Sequence, residues 1–230
     1  MSYQPYFIER GTGFPLILLH GNGQSTNYFV HQMDFFAPRY RVIAIDTRGH
    51  GKSPRGDSPY DFRQFAEDLH DFMDSQGIEK AHLLGFSDGG NIALTFALRY
   101  PERVEKLILN GANLSPWGVP LHTQLPIVLT YWKLAVPALF DPKARAKRER
   151  FNLMVHHPHI DPADLAGLTL RTLVIAGEHD MIADRHTRKI HRSLPNAKLV
   201  ILPGDHFIAS KNSEQFNREV QEFLDEPDPA

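Results

Sequence analysis

Residues 83–94, LLGFSDGGNIAL, place one hydroxyl, that of Ser87, among apolar residues and three glycines, with Asp88 directly after it. A serine that only caps a helix needs its own side-chain oxygen and nothing more. It does not need Gly85 two residues before it and Gly89 two residues after. The run Gly85-Phe86-Ser87-Asp88-Gly89 has the form G-x-S-x-G, in which a strand turns sharply into a helix and small residues let the two approach. The flanks agree with that geometry. Residues 81–85 are a short apolar run, and residues 89–100 carry a helical pattern stopped by Pro101. In such a turn the serine oxygen points away from the backbone at a helix N-terminus, where the positive end of the dipole favours developing negative charge.

Working outward, residues 16–19 and 42–45 read as buried strands, each ending in a glycine-containing loop. From Asp61 a helical stripe of Phe62, Phe65, Ala66, Leu69, Phe72 and Met73 runs to Gly77. Further strands are expected at 106–109, 172–176 and 198–202, with helices near 185–193 and from Asn212. Alternation of this kind predicts an α/β fold with a doubly wound, mostly parallel sheet flanked by helices. Residues 113–169 break the rhythm. They are rich in proline and hold both tryptophans, Trp117 and Trp132, together with the basic run KARAKRER at 143–150. They are read as a small helical insertion across the C-terminal edge of the sheet, where ligands of open α/β sheets bind. The basic run is read as a solvated helix face. Residues 1–112 and 170–230 then form one core.

A serine hydroxyl is a poor nucleophile until a base takes its proton and a carboxylate orients that base. The strand at 172–176 leads into GEHDMI, which offers Glu178 and Asp180, and the strand at 198–202 leads into PGDHF, which offers His206. The expected chain order is Ser87, Asp180, His206, with Asp180 preferred because it stands further past the strand end. A tetrahedral oxyanion needs two backbone donors. The amide of Asp88 is one, and that of Asn22, in the loop HGNGQS, is the other, with His20 bracing that loop. The Asp88 carboxylate admits two readings. It supplies a backbone N–H and a favourable charge at the helix start, or it also holds a substrate ammonium such as that of an α-amino-acid ester.

LLHGNG, AIDTRGHGKS, GFSDGG, GEHD and PGDHF, in this order, resemble the α/β-hydrolase fold family over essentially the whole chain. GFSDGG followed by YPERVEKLILNGAN is similar to the valacyclovir-hydrolase-like and enol-lactonase-like branch. The resemblance implies a serine hydrolase whose helical cap, residues 113–169, shapes the substrate pocket, and a structural role for Asp46, Arg48 and His50. Two departures stand out: one strand's worth of residues before LILLHG, so that the first hairpin is trimmed, and Asp205 before the histidine. The serine also sets the chain apart from haloalkane dehalogenases and epoxide hydrolases of this fold, which use an aspartate nucleophile there.

Composition bounds the alternatives. The 230 residues suit one domain with a modest insertion, and a formal net charge of −2 argues against a nucleic-acid binder. The absence of cysteine excludes disulfides and thiol nucleophiles. His156, His157 and His159 form a proline-interrupted tract read as loop, not as a metal site. No cofactor or metal is expected, no membrane is expected either as a span or as a partner, and no secretory signal is readable, so the expected location is cytoplasmic. The expected activity is hydrolysis of a small carboxylic ester, lactone, thioester or amino-acid ester. Carbon–carbon bond hydrolysis or cofactor-free perhydrolysis on the same triad, and a non-catalytic ligand receptor, are the alternatives.

Overall fold

The computed structural model describes residues 3–227. The chain runs β1 (Phe7–Arg10), β2 (Pro15–Leu19), α1 (Val30–Phe36), β3 (Arg41–Ile45), α2 (Phe62–Ser75), β4 (Ala81–Phe86), α3 (Asp88–Arg99) and β5 (Val104–Asn110). It continues through α4 (Leu121–Lys133), α5 (Pro142–His156), β6 (Arg171–His179), α6 (Asp184–Ser193), β7 (Ala197–Asp205), α7 (Ile208–Lys211) and α8 (Ser213–Asp225). The seven strands form one sheet in the order β1-β3-β2-β4-β5-β6-β7, with only β1 antiparallel to its neighbour. Among the described residues one strand, β1, stands before β2.

Strand alternation divides the core in two. Ile17, Leu19 and Leu83 face the helices α2, α3 and α6 through Phe65, Phe72, Phe96 and Ile190. Leu16, Leu18 and Leu84 face α1 and α8 through Met33, Phe36, Phe216 and Phe223. The chain turns from β2 to β3 on one side and then crosses to β4 on the other, so the strand order reverses at β2. Crevices at such switch points lie beyond the carboxyl ends of the strands. Here Leu19 pairs with Gly85, which brings residues 20–22 and 86–88 out side by side.

Several elements differ in extent from the sequence-based expectation. α3 begins at Asp88, β6 runs on through Glu178 and His179, and β7 runs through Asp205. Between β5 and β6 lie the two helices α4 and α5, packed on one another through Gln124 Nε2 donating to Met154 O at 3.0 Å and Arg148 Nη2 donating to Tyr131 Oη at 3.1 Å. The expectation that KARAKRER is a solvated face is only partly met. Lys143, Arg145 and Lys147 are exposed. Arg148 lies over the Tyr131 ring, and Glu149 accepts from Arg55 Nε at 2.9 Å and Nη2 at 2.8 Å, tying α5 to the loop after β3. Trp117 is 79% and Trp132 62% exposed. Among the described residues no helix is long and apolar enough to cross a membrane.

Candidate active site

Ser87 is the only non-glycine residue among those described with positive φ (54°, with ψ −119°). Such a conformation costs about 1–3 kcal/mol and persists only where the surroundings impose it. Two hydrogen bonds do so: Ser87 N donates to Asn110 O at 2.8 Å, and Ser87 O accepts from Asn91 N at 3.0 Å. The glycines answer to close approach. A Cβ on Gly89 would lie 1.9 Å from Leu19 O, and one on Gly85 2.2 Å from Gly89 O. Strand β4, helix α3 and strand β2 can meet only because these two positions carry no side chain.

His206 Nε2 lies 3.0 Å from Ser87 Oγ, and His206 Nδ1 lies 2.6 Å from Asp180 Oδ1. Sheet register prepares this meeting, since His179 pairs with Asp205 and the next residues, Asp180 and His206, leave the edge together. Asp180 and His206 are both buried, their side chains 3% and 5% exposed. Asp180 Oδ1 also accepts from Ile182 N at 2.8 Å, which fixes the carboxylate plane. A carboxylate at Nδ1 selects the tautomer that leaves Nε2 free to take the serine proton. Glu178, the alternative acid, is exposed on the end of β6.

The imidazole is held from its other sides by Phe86, at 4.8 Å between ring centroids, with Tyr28 stacked behind Phe86 at 4.4 Å. Gly111, just past β5, lies under it with φ 62°, and a Cβ there would sit 2.6 Å from His206 Cε1. Sequence reading missed Gly111. Its one signal was a glycine directly after a strand whose carboxyl end borders the site. Asp205, whose effect was open, faces outward: Oδ1 accepts from Phe207 N at 2.9 Å and Oδ2 pairs with Lys211. Lys211 holds its carboxyl below the usual range.

Neither Asn22 N nor Asp88 N donates to an acceptor among the described residues. The two residues are brought together by Asn22 Nδ2, which donates to Asp88 Oδ2 at 2.8 Å and to Arg150 O of α5 at 2.9 Å. His20 braces this loop as expected, its Nε2 accepting from Thr47 N at 3.1 Å, and burial lowers its pKa. Asp46 is a structural anchor that accepts from Thr26 N at 2.6 Å and Lys52 N at 2.8 Å. Arg48 is buried against Asp68.

Burial pushes the Asp88 carboxyl up to about 6, against smaller lowering effects of the Asn22 hydrogen bond and nearby His206. A folded value above the ordinary 3.8 means that the fold binds this proton more tightly than the unfolded chain does. Stability is therefore lost as pH rises from about 4 through about 6. Asp88→Asn keeps an acceptor for Asn22 and is expected to be about 1–3 kcal/mol more stable than wild type at about pH 8, and no more stable at about pH 3. Thermal melts at the two pH values check this.

Comparison with known proteins agrees with this geometry. A family model described as alpha/beta hydrolase fold matches residues 15–159. The 2-hydroxymuconate semialdehyde hydrolase of Pseudomonas putida is 29% identical, over 99% of this chain and 92% of that protein. The meta-cleavage product hydrolase of Pseudomonas fluorescens IP01 superposes with a TM-score of 0.77 at 26% identity, over 96% of this chain and 93% of that one. The enol-lactonase of Burkholderia xenovorans LB400 shares the fold, with a TM-score of 0.79 at 21% identity over 96% of each chain. The family match spans β2 to α5 and includes the strand–turn–helix around Ser87, and the sheet continues beyond it through β6 and β7; the chain belongs to the alpha/beta hydrolase fold family and is a hydrolase.

Proposed function

We propose that the chain is a serine hydrolase that cleaves a small carboxylic ester, lactone, thioester or amino-acid ester through an acyl-enzyme on Ser87, His206 and Asp180. The observation that carries this reading is the strained Ser87, whose Oγ lies 3.0 Å from an imidazole itself held at 2.6 Å by a buried carboxylate. In the first step Ser87 Oγ gives its proton to His206 Nε2 and bonds to the substrate carbonyl carbon. The carbonyl oxygen becomes an oxyanion that accepts from the Asn22 and Asp88 amides. His206 then protonates the leaving oxygen or sulfur as its bond to carbon breaks. Water, deprotonated by His206, releases the acid by the same path in reverse. The Asp180 carboxylate orients His206 and stabilises the imidazolium. Residues 113–169 act as a cap over the 1–112 and 170–230 core, reaching the site through the Arg150 carbonyl on Asn22. The test is labelling by a fluorophosphonate together with turnover of short-chain, aromatic and amino-acid p-nitrophenyl esters. A folded protein that neither labels nor turns over any of them is a ligand receptor, not an enzyme.

The relatives named for meta-cleavage chemistry favour carbon–carbon bond hydrolysis as a second reading, since their similarity spans nearly the whole chain. A ring-cleaved dienoate offered beside an ester separates the two by relative kcat/KM.

The Asp88 carboxylate sets an expectation within the ester reading. An ammonium on the substrate binds the ionised form, which predominates only above about 6. Dividing kcat/KM for an amino-acid ester by that for its neutral analogue cancels every pH effect common to the two substrates. That ratio is expected to rise about tenfold between about pH 5 and pH 7, and to lose tenfold or more through KM in Asp88→Ala. A ratio flat in pH leaves Asp88 as a backbone donor.

A further inference from the structure

Helix α4 is inverted. Its hydrogen-bonding residues Gln124 and Tyr131 are buried against α5, while Leu121, Leu125, Leu129 and Trp132, at helical spacing along one face, are 72, 51, 49 and 62% exposed. The chain beyond it adds Val136, Leu139 and Phe140, which are 66, 66 and 82% exposed. Eight of the twelve exposed large hydrophobics among the described residues fall between Trp117 and Phe140. Isolated apolar side chains on a surface need no explanation, but a contiguous patch of this kind marks a docking face.

Charge says what kind. No acidic residue occurs between Glu105 and Asp141, and residues 113–150 hold six lysines and arginines against two acids in a chain of net charge −2. Lys133, Lys143, Arg145 and Lys147 are exposed. Arg145 Nε donates to Ala138 O at 3.2 Å, which sets that cation beside Leu139 and Phe140. Aromatic and leucine side chains flanked by lysine and arginine suit the boundary between headgroups and acyl chains. An apolar cavity of about 430 Å³, lined by Trp117, Leu121, Leu125, Val128 and Val155, lies along the same face and would take part of a hydrocarbon tail.

We propose that this face, α4 with residues 134–147, rests on an anionic lipid surface. Its apolar stripe would enter the acyl boundary and Lys133, Lys143, Arg145 and Lys147 would meet lipid phosphates. The chain lies on the bilayer and does not span it. A second copy fits less well, because a two-fold contact would bring together two faces that each carry Lys133, Lys143, Arg145 and Lys147. The proposal is independent of the reaction catalysed, since no triad or oxyanion residue takes part.

The tryptophans give a direct readout, as Trp117 and Trp132 are the only two in the chain and both are exposed here. Wild type is expected to sediment with vesicles that contain phosphatidylglycerol, with a blue shift of its fluorescence. It should stay in solution with pure phosphatidylcholine and be released by about 0.5 M salt. Lys133→Gln combined with Lys143→Gln and Lys147→Gln should weaken binding on the order of a hundredfold. Leu139→Ser with Phe140→Ser should weaken it about tenfold or more. Far-UV circular dichroism and the melting temperature should be unchanged in both variants, which shows that they are folded. Absence of sedimentation and of a blue shift with the anionic vesicles overturns the proposal. So does a wild-type dimer in light scattering that the Leu139→Ser, Phe140→Ser variant dissociates, because the face then belongs to a second copy.

Discussion

Ser87→Ala, and separately His206→Ala, is expected to lower kcat on neutral aryl esters by a factor on the order of 10⁶, with KM little changed. The two losses should be alike and should not add in the double variant, because each removes the same proton-coupled attack. Asp180→Asn should cost less, on the order of 10⁴. There the amide presents a donor or a neutral acceptor to His206 Nδ1, so the imidazole loses both its tautomer and its counter-charge. Glu178→Gln should leave kcat within about twofold, since Glu178 is exposed and the imidazole bonds to Asp180 instead. These measurements bear on the reaction class as well. If ester and dienoate turnover fall together in Ser87→Ala, one nucleophile serves both. If dienoate turnover survives, the carbon–carbon reading does not run through an acyl-enzyme on this serine. Retention of a tenth of wild-type ester turnover by purified Ser87→Ala would remove the proposed mechanism altogether.

The parts of this site that the sequence made legible are those whose cause is local. A G-x-S-x-G run between an apolar strand and a periodic helix specifies a turn of known shape, and Ser87 occupies it with the positive φ that the turn demands. Asp180 and His206 were readable because each directly follows a strand, and the parallel order of β6 and β7 brings strand ends to one edge. What the glycines avoid was not readable. The atom that excludes a side chain at Gly89 is the Leu19 carbonyl, in another strand, and only the pairing of β2 with β4 puts it there. The basic run of α5 failed for the same reason. Whether Arg148 or Glu149 meets water depends on Tyr131 and Arg55, which lie in separate elements. The exposure of Trp132 was not readable either, because it follows from α4 spending its inner face on Gln124 and Tyr131.

Gly111→Ala is expected to lower kcat by on the order of a hundredfold without touching a reacting atom. Two effects act at this position. Alanine at φ 62° is disfavoured by about 1–2 kcal/mol. Its Cβ would also lie 2.6 Å from His206 Cε1 and 2.8 Å from Nδ1, well inside van der Waals contact. The backbone of Gly111 cannot withdraw freely, because its amide donates to Ile175 O at 3.2 Å in the neighbouring strand. The ring must move, and Phe86 stands against it on one side. Any shift that clears the new methyl lengthens the 2.6 Å bond to Asp180, the 3.0 Å approach to Ser87, or both. Loss of stability alone would leave kcat per folded molecule intact, so the readout is kcat measured well below the melting temperature. KM should change little, and the rate of phosphonate labelling should fall in parallel with kcat. The NMR resonance of the His206 Nδ1 proton should also shift as its bond to Asp180 lengthens. Gly167→Ala is the control, since a Cβ there meets nothing within 4 Å and that variant should match wild type. If Gly111→Ala keeps kcat within about threefold, the imidazole has room that the 2.6 Å contact denies it, and Gly111 is not a positioning residue.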